Sequence, residues 1–152
     1  MDIPPEIQIK STIREGSIFY FTEESFNVDT PHYFVTLNHT PLKDEFLILV
    51  CAVTFDTKVY ERIDRKMKCL SSPKETFVDV KDEECVVLKK LTLFDCNIVI
   101  EKDVDTLVDK LSKGKLKMPG YIESDILKRL KNGVMKSPQV EIKIKKMLNF
   151  NG

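Results

Sequence analysis

Residues 31–58 read PHYFVTLNHTPLKDEFLILVCAVTFDTK, and their pattern decides the fold class. Two apolar runs, 33–37 and 46–53, are rich in β-branched and aromatic residues, which suit a pleated surface buried on one or both faces. Between them Asn38, Pro41, Lys43 and Asp44 supply turn chemistry. The expectation is two adjacent antiparallel strands at the centre of a small barrel. Functional groups are expected at its polar exits, residues 30–32 and 54–58.

Working outward, residues 18–21 (IFYF) predict a strand before the central pair, and residues 1–16, with Pro4-Pro5 and the Ile7/Ile9 alternation, read as an arm leading into it. The acidic, polar segment 22–31 is longer than a tight hairpin loop, and loops of that length in compact domains are often functional. On the other side, residues 57–72 carry Lys58, Arg62, Arg65, Lys66 and Lys68 among fewer acidic side chains and read as a basic loop or irregular strand. Residues 76–80 alternate like a strand, 81–84 form a charged turn, and the apolar runs at 85–88 and 91–100 continue the β pattern. The pattern changes at Asp103. Val104, Leu107, Val108 and Leu111 make one helical stripe with Asp103 placed as its cap and Gly114 as its end. Ile122, Ile126, Leu127 and Leu130 make a second, stopped at Asn132-Gly133. A third helix is expected to start at Ser137-Pro138 and bury Val140, Ile144, Met147 and Leu148, although Val140, Ile142 and Ile144 also fit strand alternation.

A chain of 152 residues can bury one substantial core, so a single α+β domain is expected, with barrel strands over about 14–100 and helices over about 103–148. The 24 basic and 24 acidic side chains cancel, which removes any overall charge argument for nucleic acid or membrane. Their distribution is uneven: residues 75–109 hold ten Asp/Glu against four Lys, and residues 110–152 hold eleven Lys/Arg against three Asp/Glu. That asymmetry fits either a partner surface or simple solvation. No apolar run approaches the roughly 20 residues of a membrane span, and the N-terminus lacks a signal-peptide pattern, so an intracellular, soluble protein is expected. Cys51, Cys69, Cys85 and Cys96 form no CxxC pair, which argues against a zinc site. Three of them sit in apolar patterns as reduced core residues; only Cys69, near Lys66 and Lys68, has a setting for reactivity.

The order of segments resembles the MazF/PemK/Kid-type toxins. Glu15-Gly16-Ser17-Ile18 is similar to their "R-G-D-I" opening, and residues 31–37 to their second core strand, an arginine and proline followed by valines. Residues 47–53 followed by Thr54 resemble "V-x-x-x-P-x-T-S", and 76–78 resemble "T-H-V-x-L". Residues 85–91 with Phe94-Asp95 resemble "S-V-V-L-x-x-Q-I-R-x-V-D". The likeness covers about residues 14–111, as in a divergent member. It implies an SH3-like barrel that cuts single-stranded RNA without metal or other cofactor in the cytoplasm. The implied partners are that RNA, an antitoxin protein occupying its groove, and a second copy in a homodimer. Three departures stand out. Thr30, Pro31 and His32 replace the arginine before the second strand, Thr54-Phe55 replaces Thr-Ser, and Arg14 is displaced by one with the aspartate lost.

Metal-free RNA cleavage needs an acid/base for the 2′-hydroxyl and the leaving oxygen, and donors for charge on the phosphorane. His32 is the acid/base candidate because imidazole titrates near neutrality; its competing role is to bond a turn or close the barrel end. Thr54, matching the family's threonine, is the neutral phosphate donor, or an ordinary strand terminus. Arg14, Lys58 and Arg62 are the phosphate-holding cations, or exposed surface charges. Tyr20, Phe26, Tyr33, Phe55 and Tyr60 are available near the groove to stack bases; aromatics at strand positions read as core, so Phe26 and Phe55 are the loop residues singled out, while His39 reads as exposed and structural. The alternative function is a barrel that binds protein or nucleic acid without cutting, which the missing arginine favours. A small-molecule enzyme finds no nucleophile triad, Gly-rich phosphate loop or metal cluster.

Overall fold

In chain order the elements are α1 (Pro5–Thr12), β1 (Ser17–Phe21), β2 (His32–Thr36), β3 (Leu47–Val53), α2 (Val59–Cys69), β4 (Phe77–Val80), β5 (Thr92–Lys102), α3 (Val104–Ser112), β6 (Leu116–Tyr121), α4 (Ser124–Lys136) and α5 (Ile142–Phe150). They come from a computed structural model that describes residues 3–53, 57–88 and 90–150, the side chains of 149 and 150 excepted. The two apolar runs are strands, paired antiparallel with Phe34 opposite Cys51 and Val35 opposite Val50. All six strands join one antiparallel sheet in the order β4-β5-β3-β2-β1-β6. β4 and β6 stand at its two ends, so the sheet is not closed, and the fold is α+β.

The central strands are nearly continuous runs of apolar residues because both faces are covered. On one face Ile18, Val35, Ile48, Val50 and Phe94 pack with Ile126, Leu130 and Val134 of α4 and with Ile144 and Leu148 of α5. On the opposite face Phe19, Phe21, Phe34, Leu47 and Leu49 pack with Ile9 of α1 and Leu107 of α3. Each such side chain contributes about 1.5–3 kcal/mol of transfer free energy, so the two layers are held by the sheet between them.

Several local expectations change. The arm at 1–16 holds a helix, since Ile9 and Ile13 lie four apart on one buried side while Ile7 stays exposed. Most of the stretch 57–72 is helical too, as α2: only Val59, Arg62, Ile63 and Lys66 turn inward, a stripe half basic and so invisible to a hydrophobic count. The run 85–88 is a turn-rich strap, with Cys85 and Leu88 buried and Val86 exposed. β6 was hidden by Pro119 and Gly120, which an edge strand tolerates where an inner one does not. α5 begins at Ile142, and Ser137 closes α4 instead of capping a third helix. Asp103 caps α3 as expected, accepting from the Thr106 amide at 2.7 Å.

Gly133 does not stop α4, which runs on to Lys136. Its lack of a side chain lets the helix lie directly on β5 and the turn before β4: an added Cβ would sit 2.7 Å from Cys96 Sγ and 2.8 Å from the Glu75 carbonyl oxygen. Gly133→Ala should therefore destabilise by about 1–3 kcal/mol, although alanine favours an isolated helix by about 1 kcal/mol. Thermal or denaturant unfolding measures the difference. A melting temperature equal to or above wild type would show that the helix is not held at that distance.

Candidate functional site

The sheet register places His32 opposite Phe21, at the first position of β2. Its side chain lies on the face that carries Phe21 and Phe34, and its ring meets the edge of Phe26 in a T-shaped contact, centroids 5.7 Å apart. Phe26 is held there by the short 3-10 turn Glu24–Phe26, which Asn27 ends in the left-handed region at φ 56. Phe26 is half-buried and also touches Phe34, so it is a wall of the site as much as a loop residue.

α2 closes the same face from the other side. Arg62 of this helix, with Phe26, His32, Cys51, Ala52, Val53 and Ile98, lines an open cavity of about 330 Å³. Three of the residues singled out in the sequence, His32, Phe26 and Arg62, thus share one cavity. Lys58 stands one turn earlier, where its carbonyl accepts the Arg62 amide at 3.1 Å and its side chain is solvent-exposed. Arg14 is elsewhere: its guanidinium lies 3.6 Å from the centre of the Tyr121 ring, beyond the opposite end of β1. Thr54 and Phe55 lie outside the described residues, immediately after the Val53 that lines the cavity. His39 is exposed in the turn after β2, 3.6 Å from a Glu15 carboxylate oxygen.

Burial sets the electrostatics. The His32 Nδ1 atom is buried and has no hydrogen-bond partner among the described residues. Desolvation holds the imidazole below its ordinary 6.5, with the Thr30 backbone opposing the shift. The ring is therefore neutral at pH 7, the form that accepts a proton. Two carboxylates that act on the lining residue Cys51 are buried and paired, Glu23 with Lys102 at 2.7 Å and Asp95 with Lys66 at 2.5 Å. Desolvation, then Asp95 and Glu23, push the Cys51 thiol up to about 12, which makes it a poor nucleophile. Among the described residues no group of three or more His, Cys, Asp or Glu is placed to hold a metal ion, and no helix is long and apolar enough to cross a membrane.

Two tyrosines, which the sequence offers near the groove but assigns to the core, face the other side of the sheet nearby. Tyr20 and Tyr33 are register partners with ring centroids 4.5 Å apart, and both are half-buried. Strand position alone assigns such aromatics to the core, and Tyr33 does pack against the core cluster on that face while remaining partly exposed.

His32 prefers its neutral form in the folded state and titrates normally when unfolded. Stability is accordingly full above about pH 6.5 and falls as pH drops from there through the lower folded value, where protonation favours the unfolded chain. An NMR titration should give His32 a pKa below 6.5, and His32→Asn should flatten the loss of stability in that window. A titration at or above 6.5 would contradict the burial of this ring. No protein-family model and no curated protein matches the chain.

Proposed function

We propose that the protein is a metal-independent endoribonuclease acting on single-stranded RNA, with the chemistry of the MazF/PemK/Kid-type toxins. The observation that carries this reading is the meeting of a neutral imidazole, an arginine and an aromatic edge in one open cavity at the exit of β3. The placing of β1, β2, β3 and β4 along segments that resemble the family supports it, as does the antiparallel pairing of the strands, whereas residues 85–88, similar to another family segment, form a strap instead of a strand. On this reading the run β1-β2-β3-β5 is the counterpart of the family's SH3-like barrel. The partners are single-stranded RNA, an antitoxin that fills the same cavity and a second copy of the chain, all in the cytoplasm.

The reaction needs few groups. His32 takes the proton of a ribose 2′-hydroxyl, whose oxygen bonds to the adjacent phosphorus while the bond to the 5′-oxygen breaks. The imidazolium then returns its proton to that leaving oxygen, so a 2′,3′-cyclic phosphate and a 5′-hydroxyl result and the histidine is regenerated. Arg62 donates to the non-bridging oxygens as their charge grows, and Lys58 and Thr54 serve as the further cationic and neutral donors. Phe26 and Phe55 stack the flanking bases. A second reading, a module that binds RNA without cutting, is favoured by one observation: Arg14, the displaced counterpart of the arginine in the family's opening motif, is stacked on Tyr121 at the far end of β1.

Purified protein with labelled single-stranded RNA and EDTA tests the first reading. His32→Ala should lower cleavage by roughly 10²–10⁴-fold with unchanged circular dichroism, and Thr54→Ala should lower it less, since one neutral donor supplies only part of the charge stabilisation. Full cleavage by His32→Ala would sink the assignment of the imidazole. Wild type that binds RNA without cutting it would establish the second reading.

A further inference from the structure

The face of the sheet opposite the His32 ring carries a second groove, of about 330 Å³, at the same end of the strands. Its floor is Tyr20, Tyr33 and Ala52. One wall is the strap, at Lys90 and Leu91, and the other is the loop at Thr30 and Pro31. The strap reaches across this face as far as β6, where the missing side chain of Gly120 admits Val87: an added Cβ would lie 2.8 Å from Val87 Cγ2. The groove is thus bounded by packed chain on both sides.

Next to Tyr20 in the register stands Lys117 of β6. Tyr20 and Pro31 also line an adjoining cavity of about 510 Å³ with Lys115, Lys117 and Lys110. Lys110 is committed to Glu24 at 2.5 Å, which neutralises that carboxylate and leaves Asp29 as the other acid of the cavity. Lys90, Lys115 and Lys117 are exposed and take part in no ion pair among the described residues. A row of two neighbouring aromatic rings flanked by three uncommitted cations matches a polymer of alternating flat rings and anions.

We infer that Tyr20 and Tyr33 form a stacking platform for single-stranded nucleic acid, with Lys117, Lys115 and Lys90 holding its phosphates. The platform rests on the RNA reading for the identity of the strand, though not on its cleavage. It adjoins the His32 cavity, with which it shares His32, Ala52 and Val53 as lining residues. A strand cut at His32 would have its flanking nucleotides held here, on the other side of the β2 end. Because every base has a π-face, the platform selects single strands over duplexes and has little preference among bases.

Fluorescence anisotropy with a labelled ten-nucleotide oligouridylate, the matching oligothymidylate and a ten-base-pair RNA duplex tests this. Tyr33→Leu and Tyr20→Leu, which keep apolar bulk but lose the π-face, should each weaken single-strand binding roughly 5- to 100-fold, while Tyr→Phe at either position keeps it. Lys117→Gln, on an exposed side chain, should lower the slope of log affinity against log salt by about 0.7. The two single strands decide whether the sugar matters; loss of either on the tyrosine variants supports the platform. Unchanged affinity in folded Tyr33→Leu, or duplex bound as tightly as single strand, overturns it. That outcome, with cleavage still lost in His32→Ala, would remove the platform and leave the nuclease. Tyrosine-dependent binding with no cleavage by wild type would do the reverse.

Discussion

One buried carboxylate ties the two helical layers together through the sheet. Between Cys51↔Asp95 and Val50↔Val99 the register of β5 slips, leaving Cys96, Asn97 and Ile98 in a bulge. Asp95 Oδ2 accepts from Lys66 of α2 on one face at 2.5 Å, while its Oδ1 accepts from the Asn97 amide at 3.0 Å and Nδ2 at 2.8 Å. Asn97 passes the connection on, donating to Thr76 Oγ1 at 3.0 Å and accepting from Ser137 at the end of α4 at 2.5 Å. Asp95, Asn97, Thr76 and Ser137 are all buried. Leaving the buried Asp95 without Lys66 costs up to about 3–5 kcal/mol, and removing a neutral member, which orphans a buried polar group, about 1–3 kcal/mol. The polar bulge makes it possible: a regular strand would alternate faces and could not join α2 to α4 through consecutive polar groups.

The same knot explains which parts of the fold were legible in the sequence. Strands β1, β2, β3 and the stripe of α3 announce themselves by apolar period, because their partners are apolar as well. Asp95 and Asn97 interrupt β5 for a reason that lies 29 and 40 residues away, in Lys66 and Ser137. Lys66 gives α2 the look of a basic loop for the same reason, since its inward residue is a cation with a buried partner. Gly133 reads as a helix stop because the contact that requires it, with Cys96 and Glu75, is remote in sequence. β6 needs β1 to be recognisable at all: its own six residues hold one proline and one glycine.

The site was legible to a similar depth. His32, Phe26 and Arg62 come from three separate elements: the first stood out at the entry to an apolar run, the second in the long polar loop and the third in a basic stretch. Nothing local showed that they would meet, nor that Arg14 would turn the other way to lie on Tyr121. Burial then alters the imidazole: the tight contact with Phe26 withdraws it from water and so keeps it neutral. Composition alone could not supply that state, because it depends on the walls and not on the ring.

An open sheet has two free edges, and each is a template for other chains unless something prevents pairing. In β6 the register against β1 shifts between Ile18 and Tyr20, next to Pro119, which has no amide hydrogen to offer. The other edge, β4, is only four residues long and bends directly out of a 3-10 turn. Neither presents an unbroken ladder to a stranger. The irregularities at these edges, one of which hid β6 in the sequence, are thus features that oppose growth of the sheet into a fibre, and a repair of Pro119 toward regular strand sequence would trade that protection for smoother pairing.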